Sequence, residues 1–270
     1  MAKIIQISDP HIVPKGELAY GRVDTEAALK SCVETINRIL PDIGPVDMAI
    51  VAGDLTDFGT AEEYQRFRKI MKSLAIPYRA IPGNHDDVIK MRASFADQDW
   101  MPRSGAINWD VEFSDLALIG LDTNVKGAAH GHLTDTTLDY LKDTLATLSK
   151  KPVIVAIHHP PILTGIEKMD IQNLRDSRKL QIILSEYRGE LKLVCGHVHR
   201  NITAVFGSVI CQIAPGTSHA VAMDLREGAQ NCLSKEPSAF LLHEMRNGIL
   251  THSIPIGQFD GPHLFYPDNY

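Results

Sequence analysis

Residues 194–200 read VCGHVHR, two histidines one residue apart, behind a glycine, at the end of an apolar run. In an extended segment the side chains at i and i+2 point to the same side. His197 and His199 are therefore expected to reach one place, or two neighbouring places. An isolated pair of this kind also occurs in surface loops, so the reading turns on the rest of the chain.

Working outward, KIIQIS, DMAIVAG, YRAIP, VIVAI and LKLVC read as strands apolar enough to be buried on both faces. DLALIGLD and SVICQIAP read as two more. Between the early strands, DTEAALKSCVETINRIL opens on a capping Asp24 and places Leu29, Val33, Ile36 and Leu40 on one face. TAEEYQRFRKIMKSL opens on Thr60 and Glu63 at capping-box spacing. TDTTLDYLKDTLATLSK and SRKLQIILSEY continue the helical pattern. This alternation predicts an α/β fold with largely parallel strands. After Cys195 come consecutive strands, including SAFLLHEM and GILTHSIPI, which predict a partly antiparallel second half. The polar stretch from Asp224 to Pro237 is expected to be a long loop, and the chain is read as one domain.

The polar residues fall at the strand ends. Asp9 and His11 follow the first buried strand, Asp54 the second, and Asn84, His85 and Asp86 the third. His158 and His159 follow VIVAI, and His197 and His199 follow LKLVC. Six of the twelve histidines lie there, too many for chance. Ligands bind at the carboxyl ends of parallel strands, so the pattern predicts a metal site.

Composition narrows the classes. A net charge of −6 gives no general attraction for phosphate backbones, which argues against a nucleic-acid polymer as partner. Arg66, Arg68, Lys69 and Lys72 read as a solvated helix face. No stretch approaches the roughly 18 apolar residues of a membrane span, and the N-terminus lacks a signal-peptide pattern. Cys32, Cys195, Cys211 and Cys232 show no CxxC spacing and are expected to be buried free thiols in a reducing cytoplasm.

The order D-x-H, G-D, G-N-H-D, H-H, G-H-x-H resembles the calcineurin-like metallophosphoesterase family over nearly the whole chain. GELAYGRVD, GTAEEYQ, GHLTDTTLDYL and APGTSHAV are similar to its bacterial class III phosphodiesterase branch of cyclic-nucleotide and glycerophosphodiester phosphodiesterases. The resemblance implies a four-layer sandwich of two mixed β-sheets flanked by helices, with the metal site at the strand carboxyl ends. It implies two divalent or mixed-valence ions, Fe, Mn, Zn or Co, hydrolysing small phosphodiesters through a bridging hydroxide. On it, Asp9, His11 and His199 hold one ion, Asn84, His158 and His197 the other, and Asp54 bridges them. His85 lies beside the leaving group as a proton donor, while Asn84, His85 and His219 contact substrate.

Gly53, Gly83 and Gly196 precede ligands, where tight turns or close approach are expected. His159 is expected to point away from the site as a supporting residue, and Asp86 and Asp122 to be turn or supporting acids. Specificity is expected from the loop from Ile12 to Arg22, the stretch from Ala128 to His132 and the surroundings of His219. A phosphomonoesterase or nucleotidase on the same scaffold is the alternative enzyme, and a non-catalytic scaffold the alternative from another class. The tail from about 257 to 270, with Phe259, Phe265, Tyr266 and Tyr270, is expected to support a homo-oligomer of dimer size or larger.

Overall fold

The computed structural model describes residues 1–266; Tyr270, part of the expected oligomer contact, lies outside them. Strand and helix alternate first: β1 (Lys3–Ile7), α1 (Thr25–Ile43), β2 (Met48–Ala52), α2 (Ala61–Met71), β3 (Tyr78–Ile81) and α3 (Val88–Ser94). Then come β4 (Trp109–Glu112), β5 (Ala117–Gly120), β6 (Gly131–His132), α4 (Asp135–Thr147), β7 (Val153–Ala156), α5 (Glu167–Asp170), β8 (Leu174–Arg175) and α6 (Ser177–Glu186). The rest is β9 (Leu191–Cys195), β10 (Ile202–Phe206), β11 (Val209–Ile213), β12 (Ala220–Val221), β13 (Leu233–Ser234), β14 (Ala239–Met245) and β15 (Ile249–Pro255).

The helix starts follow local chemistry. Asp24 accepts from the Ala27 amide at 2.9 Å, and Thr60 and Glu63 cap α2 reciprocally. Helix α1 runs past Leu40 and through Pro41 to Ile43, where the Gly44 amide bonds back to the Leu40 carbonyl. The basic residues of α2 are partly tied down, Arg66 to Glu26 and Arg68 to Asp97 at 2.6 Å.

Two large sheets form, ordered β15-β14-β1-β2-β3 and β10-β11-β9-β7-β5-β4. β1, β2 and β3 run parallel, as do β5, β7, β9 and β11, while the outer strands β4, β10, β14 and β15 pair antiparallel. In the second sheet, Leu118, Ile154 and Val194 face the first sheet. Their neighbours Ile119, Val155 and Leu193 join Leu138, Leu141, Leu180 and Leu184 of α4 and α6 in a second core. Helices α1 and α2 add Leu29, Val33, Ile36, Tyr64 and Phe67 to the first core. Four layers result, helices outside and sheets inside. The sheets are stitched by Gln6 Nε2, which donates to the Cys195 carbonyl at 2.8 Å, and by Trp109 Nε1, which donates to the Ala80 carbonyl at 2.8 Å.

Two expectations are corrected. The stretch from Asp224 to Pro237 is mostly loop, but Leu233–Ser234 pair with Ala220–Val221 as β13 on β12. Cys32, Cys195 and Cys211 are buried, whereas Cys232 is exposed because this surface loop carries it. Among the described residues, no helix is long and apolar enough to cross a membrane.

Candidate metal centre

The carboxyl ends of β1, β2 and β3 in one sheet meet those of β7 and β9 in the other, and every predicted ligand lies on the loops that follow. Backbone bonds lock these loops edge to edge: His11 N donates to Asp54 O at 2.9 Å and Gly196 N to His158 O at 3.0 Å. Side chains extend the lock, with His85 N donating to Asp54 Oδ1 at 2.9 Å and His197 N to Asp9 Oδ1 at 3.1 Å.

The loops are not extended, which corrects the i, i+2 argument. Asp9, His11, Asp54, His197 and His199 all have positive φ, from 46° to 71°, and make up five of the eight such non-glycine residues described. Each left-handed residue of this kind costs on the order of 1–3 kcal/mol, so the strain is concentrated where the polar residues converge. The result is two neighbouring places. His199 joins Asp9, His11 and Asp54, while His197 joins His158 and His159; within each group one donor atom per residue lies within 4.8 Å of the others.

Asp54 connects the two groups. Its Oδ2 lies 3.4 Å from His11 Nε2 and 3.2 Å from His158 Nε2. His158 Nε2 is also 3.2 Å from Asn84 Oδ1. On the other side, His199 Nε2 stands 3.1 Å from His11 Nε2 and 3.4 Å from Asp9 Oδ1. Bonds of about 2.1 Å meeting at 90–109° at a metal would place their donor atoms about 3.0–3.4 Å apart. The donor spacing therefore fits two ions.

The tautomers fit as well. His158 Nδ1–H donates to the Ala52 carbonyl at 2.7 Å, and His11 Nδ1 stands 2.9 Å from Asp57 Oδ1. With Nδ1 so engaged, each ring turns Nε2 toward the centre, where the neutral imidazole presents a lone pair, the usual support for a metal-bound imidazole. His197 Nε2 and His199 Nδ1 are buried without partners.

Charge supports the same picture. Burial alone would raise the Asp9 and Asp54 carboxyls, but His199 beside Asp9 and His158 beside Asp54 hold both well below the usual carboxylate range. Burial lowers His158, and the Asp54 carboxylate outweighs it, lifting the imidazole to about 9. Burial and then His158 push His197 down to about 3. Opposed shifts of this size mark a buried cluster of like and unlike charges, as functional sites do.

The glycines are required by close approach. A Cβ on Gly53, where φ is +92°, would lie 2.2 Å from His158 Nδ1; one on Gly83 would lie 2.2 Å from Asp54 Oδ1, and one on Gly196 2.2 Å from Ser8 Oγ.

His85 and His219 both edge the cleft above this centre, at ring distances of 4.6 and 5.7 Å from His11. Asp86 is a supporting acid, accepting from Gly83 N at 2.9 Å, Leu55 N at 3.1 Å and Tyr64 Oη at 3.0 Å. Burial and Asp54 raise its carboxyl to about 6. Asp122 likewise accepts from Ile107 and Asn124 amides.

Two sequence expectations need correction, and one residue of the site had none. His159 does not point away: its ring is 4.8 Å from those of both His158 and His197, because the chain bends at these two histidines instead of running on extended. The stretch from Ala128 to His132 does not line the cleft, since β6 pairs with β8 and packs Gly131 against His159. The far wall is instead Met169, Gln172, Asn231, Cys232 and Leu233. Asp57 was missed. It sits three residues past a strand-end ligand with no pattern of its own, and its acidic type in the loop after Asp54 was the one signal available.

Comparison with known proteins agrees with this geometry. The sequence profile described as calcineurin-like phosphoesterase matches residues 2–201. A probable glycerophosphodiester phosphodiesterase of Arcobacter nitrofigilis is 40% identical over 266 residues, 97% of this chain and 96% of that protein. A 3',5'-cyclic adenosine monophosphate phosphodiesterase of Pseudomonas aeruginosa is 30% identical over 223 residues, 80% of this chain and 79% of that one. In fold, a dimetal phosphatase from Danio rerio superimposes with a TM-score of 0.62 at 11% identity, over 95% of this chain and 99% of that chain. Strand-end histidines and aspartates meeting between two sheets, and a profile spanning all of them, have one common explanation: the chain belongs to the calcineurin-like phosphoesterase family.

Proposed function

We propose that this chain is a single metallophosphoesterase domain that hydrolyses small phosphodiesters, either a cyclic nucleotide or a glycerophosphodiester. The observation that carries the reading is Asp54 Oδ2, placed 3.4 Å from His11 Nε2 and 3.2 Å from His158 Nε2. One carboxylate oxygen between two sets of donors is what a shared ligand requires. In this reading Asp9, His11 and His199 hold one ion, Asn84, His158 and His197 the other, and Asp54 both. Mixed carboxylate, amide and imidazole donors suit iron, manganese, zinc or cobalt. When bound, such a pair supplies Lewis-acid stabilisation of phosphate oxygens and lowers the pKa of water.

The residues of the chain do the rest. His85 Nδ1–H donates to the Asp57 carbonyl at 2.9 Å, which leaves Nε2 for a leaving alkoxide. Burial lowers this imidazole, but the Asp54 carboxylate and Asp57 outweigh it, so in the polypeptide alone it is raised above its ordinary value. A protonated Nε2 is what general acid catalysis needs. His219, pushed down to about 2 by burial and by His199, is neutral and offers substrate a hydrogen bond rather than a charge.

Names of the relatives support diester chemistry, one for glycerophosphodiesters and one for cyclic AMP. The acidic balance of the chain supports a small substrate over a nucleic-acid polymer or a membrane surface. The reading also holds that the protein works in the cytoplasm as a homo-oligomer. Exposed Phe259, Leu264 and Phe265 on the tail support the oligomer, because they are not tucked against the core of their own chain.

The test is a metal-stripped protein reloaded with each metal and assayed on cyclic nucleotides, glycerophosphodiesters and phosphomonoesters. Metal-dependent turnover of a diester above any monoester is expected. Faster monoester turnover would select the phosphatase or nucleotidase alternative, and no turnover with full metal loading would select a scaffold.

A further inference from the structure

The site contains one fully buried imidazole to which the mechanism gives no task. His159 has no exposed surface, and its Nε2 has no partner. Its orientation is fixed on two sides. Nδ1 stands 2.8 Å from Thr123 Oγ1, itself fully buried, and Gly131 leaves room for the ring, since a Cβ there would lie 2.5 Å from it. The next ring is that of His197, with centroids 4.8 Å apart. His197 also carries a buried Nε2 without a partner. Two orphan imidazole nitrogens thus lie buried on neighbouring rings.

Two neutral rings can satisfy each other only if one nitrogen donates and the other accepts. His197 lines the cleft, and with Nε2 sealed off, Nδ1 is its nitrogen open to the centre. To bind a cation there, Nδ1 must present a lone pair, so the His197 proton must sit on Nε2. That proton needs an acceptor. The His159 Nε2 lone pair is available if the His159 proton is on Nδ1, donated to Thr123 Oγ1.

We infer that His159 is a positioning residue: the chain Thr123–His159–His197, closed directly or through one water, fixes His197 in the Nε2-protonated tautomer and aims Nδ1 at the second metal position. The inference rests on the proposed two-ion reading. A ligand imidazole commonly requires such a partner, and its removal costs about 10–100-fold in metal affinity.

The test compares wild type with His159→Phe, which keeps the ring volume without an acceptor, and His159→Gln, which restores an amide oxygen near the Nε2 position. Thr123→Val removes the far end of the chain without touching either ring. The primary readout needs neither metal nor activity. In metal-free protein labelled with ¹⁵N-histidine at neutral pH, long-range ¹H–¹⁵N spectra report the tautomer of each ring. His197 is expected to be protonated at Nε2 in wild type and in His159→Gln, and to become a tautomer mixture in His159→Phe and Thr123→Val. Zinc competition should then show the weaker site losing about 10–100-fold in affinity in His159→Phe, with most of that recovered in His159→Gln.

An unchanged His197 tautomer in His159→Phe, or in Thr123→Val should the Phe variant not fold, would overturn the inference. So would loss of a whole zinc equivalent in both His159 variants, which would make His159 a ligand itself. A protein with the expected tautomers and no phosphodiesterase activity would reject the functional reading and leave the positioning role standing.

Discussion

Asp57 Oδ1 stands 2.9 Å from His11 Nδ1, and the same carboxylate oxygen is 3.6 Å from Nδ1 of His85. One acid from a loop thus touches a proposed metal ligand and the proposed proton donor. The His11 contact turns Nε2 toward Asp54 and His199, and burial keeps the His11 ring below its ordinary pKa despite Asp57. Asp57→Asn retains the shape but loses the charge. Zinc affinity at the His11 position is expected to fall about tenfold or more, measured by competition with a chelating dye. Unchanged affinity would make Asp57 a packing residue.

His85 is tested by the leaving group. Glycerol or ribose oxygen departs poorly without a proton, whereas nitrophenolate does not need one. His85→Ala is expected to lose about 10²–10⁴-fold on a natural diester and far less on bis(p-nitrophenyl) phosphate, with metal content unchanged. Equal losses on both substrates would make it a phosphate-positioning residue.

Two glycines with similar backbones separate conformational strain from steric conflict. A Cβ added at Gly16 (φ +84°) would meet nothing within 4 Å, whereas one at Gly53 (φ +92°) would meet His158 Nδ1 at 2.2 Å. Gly16→Ala is expected to cost about 1 kcal/mol or a little more and leave metal binding intact. Gly53→Ala should carry that strain and also displace His158, so that one of two zinc equivalents is lost. Thermal melts with metal analysis distinguish the two.

Acid sensitivity should have a component outside the centre. His243 is buried between Gln6 Oε1 at 3.0 Å and Thr251 Oγ1 at 2.8 Å, and burial, then Lys192, lower it from 6.5 to about 3. Its folded pKa is depressed, so the unfolded chain takes up the proton first as pH falls. The stabilising effect of a neutral His243 is complete above about pH 6.5 and lost progressively toward pH 3, at up to about 1.4 kcal/mol per pH unit. Guanidinium unfolding of His243→Gln should show a slope shallower by about one proton over this window. Identical slopes would show that His243 does not titrate on unfolding.

The exposed tail aromatics predict association. Light scattering is expected to give a mass at least twice the chain mass of 29.8 kDa at micromolar concentration, and truncation before Phe259 to reduce it. A single-chain mass throughout would reject the oligomer.

The sequence alone determined what depends on near neighbours. Short, largely apolar segments marked β1, β2, β3, β7 and β9, and the capping box of Thr60 and Glu63 marked α2. Because ligands gather at parallel strand ends, those runs also located Asp9, His11, Asp54, Asn84, His158, His197 and His199. β4 and β10 escaped notice because edge strands such as WDVE and ITAVF are only half buried and carry little pattern. What only the tertiary structure decided depends on residues far apart in the chain. The left-handed backbones at Asp9, His11, Asp54, His197 and His199 lie where loops of different strands meet, and bonds between those loops hold the first four, so no local propensity announces them. The same holds for Asp57 beneath His11, for His159 turned toward His197, and for the cleft wall at Gln172 and Asn231. Each is set by how two sheets meet, and a strand's own periodicity says which face is buried but not what the other sheet will bring against its end.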